Sequence, residues 1–207
     1  MTERKIEILE KVRAFQGYFR IDRYRLRHSL HEGGMSAEIT REVFERGHAV
    51  GVLPFDPARD EVVLIEQFRI GAHAAGDDPW LTEIVAGIID EGESMEDVAL
   101  RETEEEAGLR PGELLPMVSY LVSPGGASEK VDLYLARVDA SGAGGIHGLD
   151  HEHEDIRVFA LPFAEAAALV DAGRINNAMT LIALLWLVRR HDDVLGRWRG
   201  GTGTSGP

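Results

Sequence analysis

The chain has 207 residues, which suits one domain of ordinary size with at most a small additional lobe, and its 44% hydrophobic and 28% charged residues are typical of a folded globular protein. It contains no cysteine, which excludes disulfides, thiolate metal sites and a cysteine nucleophile. The formal net charge of −14 disfavours nucleic-acid binding, and an anionic substrate would require local cations or a bound metal ion.

The N-terminal segment and the lengths of the apolar runs indicate where the protein is located. The first fifteen residues carry charges where a signal peptide has its apolar run, and no segment reaches the roughly 18 apolar residues of a membrane span. We therefore expect a protein that is neither secreted nor membrane-spanning, and the absence of cysteine agrees with a cytoplasmic location. The glycine-rich tail at 200–207 is expected to be disordered.

The first third of the chain is typical of β-structure. Short alternating runs between residues 6 and 44, such as residues 18–26, predict strands and hence a small antiparallel lobe over residues 1–46. Two β-branched runs at 48–55 and 61–68, joined by the turn-rich segment 56–60, predict a hairpin that opens a second domain over residues 47–199.

Strands and helices alternate through the rest of the chain. The remaining predicted strands cover 82–85, 117–122, 131–138 and 156–161, and the predicted helices cover 94–107, 163–172 and 177–190. The glycine-rich stretch 141–145 is interpreted as a loop. This order predicts an α/β (α+β) protein whose mixed sheet is covered by helices.

The helix predicted at 94–107 is unusually acidic. Nine carboxylates lie within the seventeen positions from Asp90 to Glu106, with Arg101 as their one cation. Ser94, with an acidic residue three positions on, is typical of a helix start, and Gly108 is typical of a helix end. At about 100° per residue, three of the glutamates then share one arc of the helix: Glu102, Glu105 and Glu106.

Like charges in this arc destabilise an isolated helix. Glu102 and Glu106 are four residues apart, which costs about 0.2–0.5 kcal/mol, and anions at the carboxyl end of a helix oppose its dipole. A solvated acidic face is the simplest alternative. An EF-hand fits poorly, because its alternating ligands and central glycine cannot be placed on this segment. A hard divalent cation, Mg²⁺ or Mn²⁺, would remove the conflict.

The segment from residue 87 to residue 109 resembles the Nudix box of the Nudix hydrolases. Gly87 is followed after five residues by Glu93, and after seven more by the run RETEEEAGL at 101–109. Thr103 stands where the family usually has an aliphatic residue. The resemblance implies a mixed β-sheet sandwiched between helices, and a loop–helix–loop that holds Mg²⁺ against a pyrophosphate, with Mn²⁺ as a possible substitute.

The resemblance also implies roles for individual residues in hydrolysis by metal-activated water. Glu102, Glu106 and the Ala86 carbonyl would be direct metal ligands. Glu105 and Glu93 would serve further ions or the attacking water, and Arg101 would fix the rotamer of a carboxylate. Gly87 would let the backbone approach the ion closely.

The segment SPGGASE at 123–129 resembles the ADP-ribose pyrophosphatase subgroup, which yields AMP and ribose 5-phosphate. A tight turn between strands is the alternative interpretation of this segment alone. The subgroup implies a homodimer with exchanged N-terminal strands, in which Glu129 meets the terminal ribose. Four further residues would contact the substrate: Tyr18 or Phe19 on adenine, and Arg41 and Arg69 on the diphosphate or ribose.

The segment HEHE at 151–154 has alternating histidine and glutamate, which would suit a zinc site, but two ligands without a third nearby favour a solvated loop. In the subgroup the catalytic base lies on this segment, which implies Glu152 as the base and Glu154 as a metal or water contact. A base on a mobile loop would close over bound substrate.

Three functions stay open at this point. The first is Mg²⁺-dependent ADP-ribose hydrolysis, and the second is the same chemistry on another nucleoside diphosphate sugar, NADH or a dinucleoside polyphosphate. The third is a non-catalytic sensor of nucleotide sugars, for which losses among the acidic box residues would be typical, and the box shows none. Signatures of P-loop, nucleophile-elbow and dinucleotide-binding proteins are absent from the sequence.

Overall fold

The computed structural model describes residues 4–199, apart from the side chain of Asp150. The tail expected to be disordered, 200–207, lies outside the described residues. The chain divides into two compact units, one of Met1–His48 with Tyr120–Val131 and one of Ala49–Ser119 with Asp132–Pro207. We call them the N-terminal unit and the main unit.

The N-terminal unit is built on an antiparallel sheet. Strands β1 (Ile6–Gln16), β2 (Arg20–His28) and β3 (Ile39–Glu45) pair in the order β1-β2-β3, which confirms the antiparallel lobe. The segment 120–131 also belongs to this unit, and its loop is fastened to the end of β3 because the Phe44 amide donates to the Gly126 carbonyl at 2.8 Å.

The main unit carries the large mixed sheet. Its strands are β4 (Ala49–Asp56), β5 (Glu61–Phe68), β6 (Trp80–Glu83), β7 (Val85–Ile88), β8 (Leu114–Leu121), β9 (Lys130–Arg137), β10 (Gly145–His147) and β11 (Ile156–Pro162). The order is β10-β11-β5-β4-β9-β8, with β6 beside β5 and β7 beside β4. The helices are α1 (Ile70–Ala75), α2 (Met95–Ala107), α3 (Phe163–Asp171) and α4 (Ala178–Arg199). The predicted mixed α/β class and the β4–β5 hairpin are confirmed.

Helix α2 is held against the sheet by its apolar side. Val98 and Ala99 are completely buried among sheet residues such as Val50 and Val85. Burying a valine side chain stabilises a fold by about 1.5–3 kcal/mol, so this side of α2 is firmly oriented. Its carboxylates are therefore presented at a fixed angle to the β7 backbone.

The ends of α2 follow the sequence prediction. The Asp97 amide donates to the Ser94 hydroxyl at 3.1 Å, which is a helix N-cap. Gly108 ends the helix at φ +64°, in the left-handed region that glycine adopts without strain. Thr103 fits its buried position because its hydroxyl donates to the Ala99 carbonyl at 2.6 Å.

The structure differs from the sequence prediction in four places. The single strand predicted at 82–85 is two strands, β6 and β7, with Ile84 between them. The six-residue helix α1 follows β5 and was not predicted, and β10 borders the stretch interpreted as a loop. Helix α4 continues to Arg199, past the predicted end at 190, because Val194 and Trp198 continue its buried stripe beyond the charged residues 189–193. The predicted limit followed the charges, although the long helix alternates charged and buried faces.

Candidate active site

Glu106 lies at the centre of the candidate site, where α2 contacts β7. Its carboxylate is 3% exposed and accepts the Ala86 amide at 2.9 Å. Position 106 is one turn from Glu102 on the same side of α2, and both carboxylates face β7, at Ala86 and Gly87. A buried carboxylate with one backbone donor still has acceptor capacity for a further partner.

Glu102 lies directly against Gly87. A Cβ atom added at Gly87 would be 1.8 Å from Glu102 Oε1, a distance that no non-bonded contact permits. Glycine is therefore required at position 87 by the close approach of a side-chain carboxylate, and the approach of the Gly87 backbone to an ion stays a prediction. Any larger residue would push Glu102 away from Glu106.

Arg101 neutralises part of the acidic arc. It binds Glu93 through two parallel hydrogen bonds of 3.0 Å, and its Nη1 donates to Glu102 at 2.7 Å and to Glu105 at 3.3 Å. These contacts raise the pKa of Arg101 and lower that of Glu93, in both cases chiefly through the hydrogen bonds that the two residues share. One guanidinium thus orders three carboxylates.

The two inner carboxylates hold protons unusually tightly. Burial raises the pKa of Glu102 to about 7, although the neighbouring Arg101 opposes the shift. Burial raises the pKa of Glu106 to about 8, against the opposing Ala86 hydrogen bond, and the charges of Glu102 and Glu154 raise it further. Arg101 and Arg69 therefore offset only part of the cost of burying the charges of Glu102 and Glu106, respectively, when the site contains protein atoms alone.

The donors at this site fit a hard divalent cation, although no cage is preformed. Among residues 4–199, no three acidic or histidine side chains already converge as metal ligands. The available donors are carboxylate and carbonyl oxygens, and an added positive charge would favour the ionised forms of Glu102 and Glu106, whose pKa values are raised by burial. Because Arg101 holds Glu102 at 2.7 Å, a cation would have to compete with this contact.

Arg69 lies beside the acidic cluster, at the end of β5. Its Nε and Nη2 donate to Glu83 at 3.0 and 2.8 Å. Burial lowers the pKa of Arg69, but the pull of Glu83, Glu106 and Glu154 outweighs burial and the net shift is upward. Arg69 is thus the second cation at the cluster after Arg101.

The loop after β10 carries the two glutamates of the HEHE segment. Residues Asp150–Glu152 form a 3₁₀ turn rather than the extended chain considered for a zinc site, and His153 has φ +59°. Glu154 accepts the Leu149 amide at 3.1 Å, while its charge acts on Glu102 and Glu106. The Glu152 side chain is 56% exposed, with His151 at 3.6 Å, so it is not buried against the metal-ligand candidates.

Three predicted substrate contacts belong to the N-terminal unit. Tyr18 is 88% exposed with its ring edge-on to Phe19, and Arg41 lies on β3, where its Nη1 donates to the Thr40 carbonyl. Glu129 is buried, with Arg46 at 3.6 Å. The structure therefore gathers the residues of the main unit into one site, namely Ala86, Gly87, Arg69, Arg101, Glu102, Glu105, Glu106 and Glu154.

Sequence reasoning missed Glu83 and Gln67. Gln67 and Arg69 lie on the same side of β5, and both donate to Glu83 of β6, Gln67 at 3.3 Å. The contact depends on the pairing of β5 with β6, in which Ile65 faces Glu83. The only signal in the sequence was a charged residue, Glu83, within the predicted strand 82–85.

Known proteins share this arrangement of elements. A model of the NUDIX domain matches residues 45–182. The chain is 51% identical over 193 residues to an ADP-ribose pyrophosphatase of Escherichia coli strain K12, covering 93% of this chain and 92% of that protein. It is 39% identical over 201 residues to an ADP-ribose pyrophosphatase of Haemophilus influenzae, covering 96% and 93%.

More distant relatives extend the comparison. The chain is 33% identical over 184 residues to a GDP-mannose pyrophosphatase of Pectobacterium atrosepticum, covering 86% of this chain and 92% of that protein. A crystal structure of an ADP compounds hydrolase superposes with a TM-score of 0.71 at 23% identity, covering 93% and 97%, which supports the fold alone. With the NUDIX domain matched across most of the main unit, the chain belongs to the Nudix family.

Proposed function

We propose that this protein is an ADP-ribose pyrophosphatase that requires a divalent cation, with Mg²⁺ as the natural ion. ADP-ribose and water give AMP and ribose 5-phosphate: one P–O bond of the diphosphate breaks, a new P–O bond forms to the water oxygen, and the water proton leaves with a base. The relatives at 51% and 39% identity are both ADP-ribose pyrophosphatases, and this supports the choice of substrate.

The observation that carries the proposal is the carboxylate pair of Glu102 and Glu106 against β7, in which Glu106 is buried and the side chain of Glu102 is 14% exposed. Burial raises the pKa values of the two carboxyls to about 7 and 8, and Arg101 and Arg69 offset only part of this effect. The Gly87 backbone leaves no room for a side chain beside Glu102. Such a pair is costly in a protein without a ligand and useful in one that binds a cation and a diphosphate.

We assign the metal to the carboxylates of Glu102 and Glu106 and to the Ala86 carbonyl, with Glu105, Glu93 and Glu154 as contacts of further ions or water. A bound divalent cation would neutralise charge on the diphosphate and lower the pKa of the attacking water. Arg101 orders Glu93, Glu102 and Glu105 before binding. Fixed carboxylates lose little entropy when a ligand arrives.

We assign the general base to Glu152. Its exposed carboxylate lies on the turn after β10, between Gly148 at φ +102° and His153 at φ +59°. A positive φ is uncommon for His153, whereas glycine adopts it readily at position 148, and we propose that the turn changes shape at these two positions when substrate binds. Glu152 would take the proton from the attacking water. The phosphate that is displaced from the diphosphate would then leave as a phosphomonoester.

A panel of diphosphates tests the function. ADP-ribose, GDP-mannose, NADH and a dinucleoside polyphosphate are assayed at equal concentration, with Mg²⁺ and with a chelator, by release of phosphomonoester. We expect the highest kcat/KM for ADP-ribose and no turnover with the chelator. A higher value for another diphosphate would assign the enzyme to that substrate, and turnover without metal would contradict the metal assignment.

GDP-mannose is the second candidate substrate. The relatives at 33% identity are GDP-mannose pyrophosphatases, so the same fold accommodates a guanine nucleotide and a hexose. Glu102 and Glu106 are proposed to act on the diphosphate, which ADP-ribose and GDP-mannose share, so they do not distinguish the two substrates. The lower identity makes this candidate second.

We further propose a cytoplasmic homodimer formed through the N-terminal lobe, residues 1–46, with the hydrolase domain at 47–199. Seven large apolar side chains of this lobe are well exposed, which favours a partner surface: Ile6, Ile8, Val12, Phe15, Tyr18, Leu30 and Met35. Tyr18, Arg41 and Glu129 would contact the nucleoside and ribose.

No helix within residues 4–199 is long and apolar enough to span a membrane. Light scattering at several concentrations measures the oligomeric state, and a monomer would contradict this arrangement.

A further inference from the structure

Arg69 uses only one edge of its guanidinium group. Its Nε and Nη2 both face Glu83, with Nε 3.2 Å from Oε1 and Nη2 2.8 Å from Oε2, which is the side-on arrangement of a bidentate pair. Within the described part of the chain, Nη1 makes no hydrogen bond, and the side chain is 44% exposed. The end-on edge, Nη1 with the second Nη2 proton, is therefore available to a planar pair of acceptors.

Glu83 is itself held in place. Its side chain is 13% exposed and accepts a second donor, Gln67 Nε2, at 3.3 Å. Gln67 is 7% exposed, so its amide has little freedom. Two donors from one side of β5 thus fix the carboxylate of β6. A carboxylate held in this way fixes the arginine that it binds.

Arg69 is also attracted by the acidic cluster. The charges of Glu106 and Glu154 act on its guanidinium. Arg101 shows what such attraction does, because its Nη1 binds both Glu102 and Glu105. The ion pair with Glu83 opposes this attraction, so that Arg69 lies beside the carboxylates of the acidic cluster and not between them. The held arginine is left with a free edge at the border of the site.

From this geometry we infer that Glu83 is a positioning residue, which holds Arg69 side-on so that the end-on edge of its guanidinium grips a phosphate of the diphosphate. The inference rests on the proposed function for the nature of the substrate. An arginine edge matches two oxygens of one phosphate, whereas an unrestrained arginine must lose rotamer freedom before binding. Glu83 acts through Arg69 and touches no reacting atom.

A double-mutant cycle tests the inference. The variants are Glu83→Gln, Arg69→Ala and the two combined, and the probe is the ADP-ribose analogue whose bridging oxygen is replaced by a methylene group. The dissociation constant of the probe is measured by calorimetry with Mg²⁺ present, and KM and kcat are measured on ADP-ribose. Additivity is expected for independent residues and fails for residues that act as one unit.

We expect each single substitution to weaken probe binding about tenfold and to raise KM more than it lowers kcat, and the double variant to be no weaker than either single one. Glu66→Gln is the matched control: Glu66 binds Arg157 through a similar bidentate pair, at 3.1 and 3.0 Å, and the neighbouring residue Gln67 points to the other side of β5. This control should bind the probe like the wild type.

Two results would overturn the inference. One is wild-type affinity in Arg69→Ala. The other is a combination of two observations: the double variant binds the probe about a hundredfold more weakly than the wild type, and Glu83→Gln lowers the melting temperature equally with and without Arg69. A purely structural role of Glu83 predicts both observations. A wild-type protein that binds the probe but leaves ADP-ribose intact would refute the proposed function while the cycle still decides the role of Glu83.

Discussion

Replacing Glu106 by glutamine should stabilise the metal-free protein. Glu106 is 3% exposed, and burial raises the pKa of its carboxyl from 4.5 to about 8. A carboxyl whose pKa is higher in the folded state contributes its full stability below pH 4.5, and this contribution is lost as the pH rises toward 8. Glutamine keeps an acceptor oxygen for the Ala86 amide and carries no charge to desolvate.

The size of this effect follows from the pKa difference. At about 1.36 kcal/mol per pKa unit, the penalty carried by Glu106 is under about 1 kcal/mol at pH 5, about 3 kcal/mol at pH 7 and about 5 kcal/mol at pH 9. The Glu106→Gln variant avoids this penalty. We therefore expect its stability advantage over the wild type to grow across this pH range.

Urea unfolding in the presence of a chelator measures the effect. The free energy of unfolding is determined for the wild type, for Glu106→Gln and for the control Glu104→Gln at the three pH values. Glu104 is on the same helix and makes an exposed pair with Arg110, so its replacement should change stability by less than about 1 kcal/mol at any pH. A Glu106→Gln variant that is no more stable than the wild type at pH 9 would refute the reasoning.

Three further predictions concern the same site. Cation affinity should rise between pH 6 and pH 8, because Glu102 and Glu106, with pKa values of about 7 and 8, must lose protons to bind metal. Calorimetry at pH 7 in two buffers of different ionisation enthalpy should show that protons are released when the cation binds. The absence of proton release would contradict the assignment of these two ligands. Gly87→Ala should lower kcat at least about a hundredfold, because its Cβ would lie 1.8 Å from Glu102 Oε1, whereas Gly71→Ala, where nothing lies within 4 Å, should keep wild-type kinetics. Glu152→Gln should lower kcat by about 10² to 10⁴ with an unchanged melting temperature and cation affinity, as for an exposed general base, and an unaltered kcat would refute this role.

Local sequence signals predicted the acidic helix well. Ser94 and Gly108 mark the ends of α2, and both act as caps in the structure. The arc shared by Glu102 and Glu106 follows from helical geometry alone. The approach of Gly87 to Glu102 adds the reason why that position requires glycine. Signals of this kind depend on neighbours within a few turns of chain, so sequence is sufficient for them.

Contacts between distant segments could not be predicted in the same way. The pair of Arg69 with Glu83 depends on the register of β5 against β6, which no short pattern specifies. The extension of α4 to Arg199 depends on the packing of Trp198 in the core, and the charged residues before it indicated an earlier end. The alternation at 151–154 favours a solvated loop, and it does not specify the 3₁₀ turn that the structure has at Asp150–Glu152.

The central claim is that the carboxylates of Glu102 and Glu106 are placed together because a divalent cation binds both of them and a diphosphate. Crystals grown with Mn²⁺ and the methylene analogue of ADP-ribose would test it through the anomalous signal of the metal. The account predicts a peak about 2 Å from carboxylate oxygens of both residues, beside the diphosphate. A fully occupied analogue with no anomalous peak near either carboxylate would contradict it.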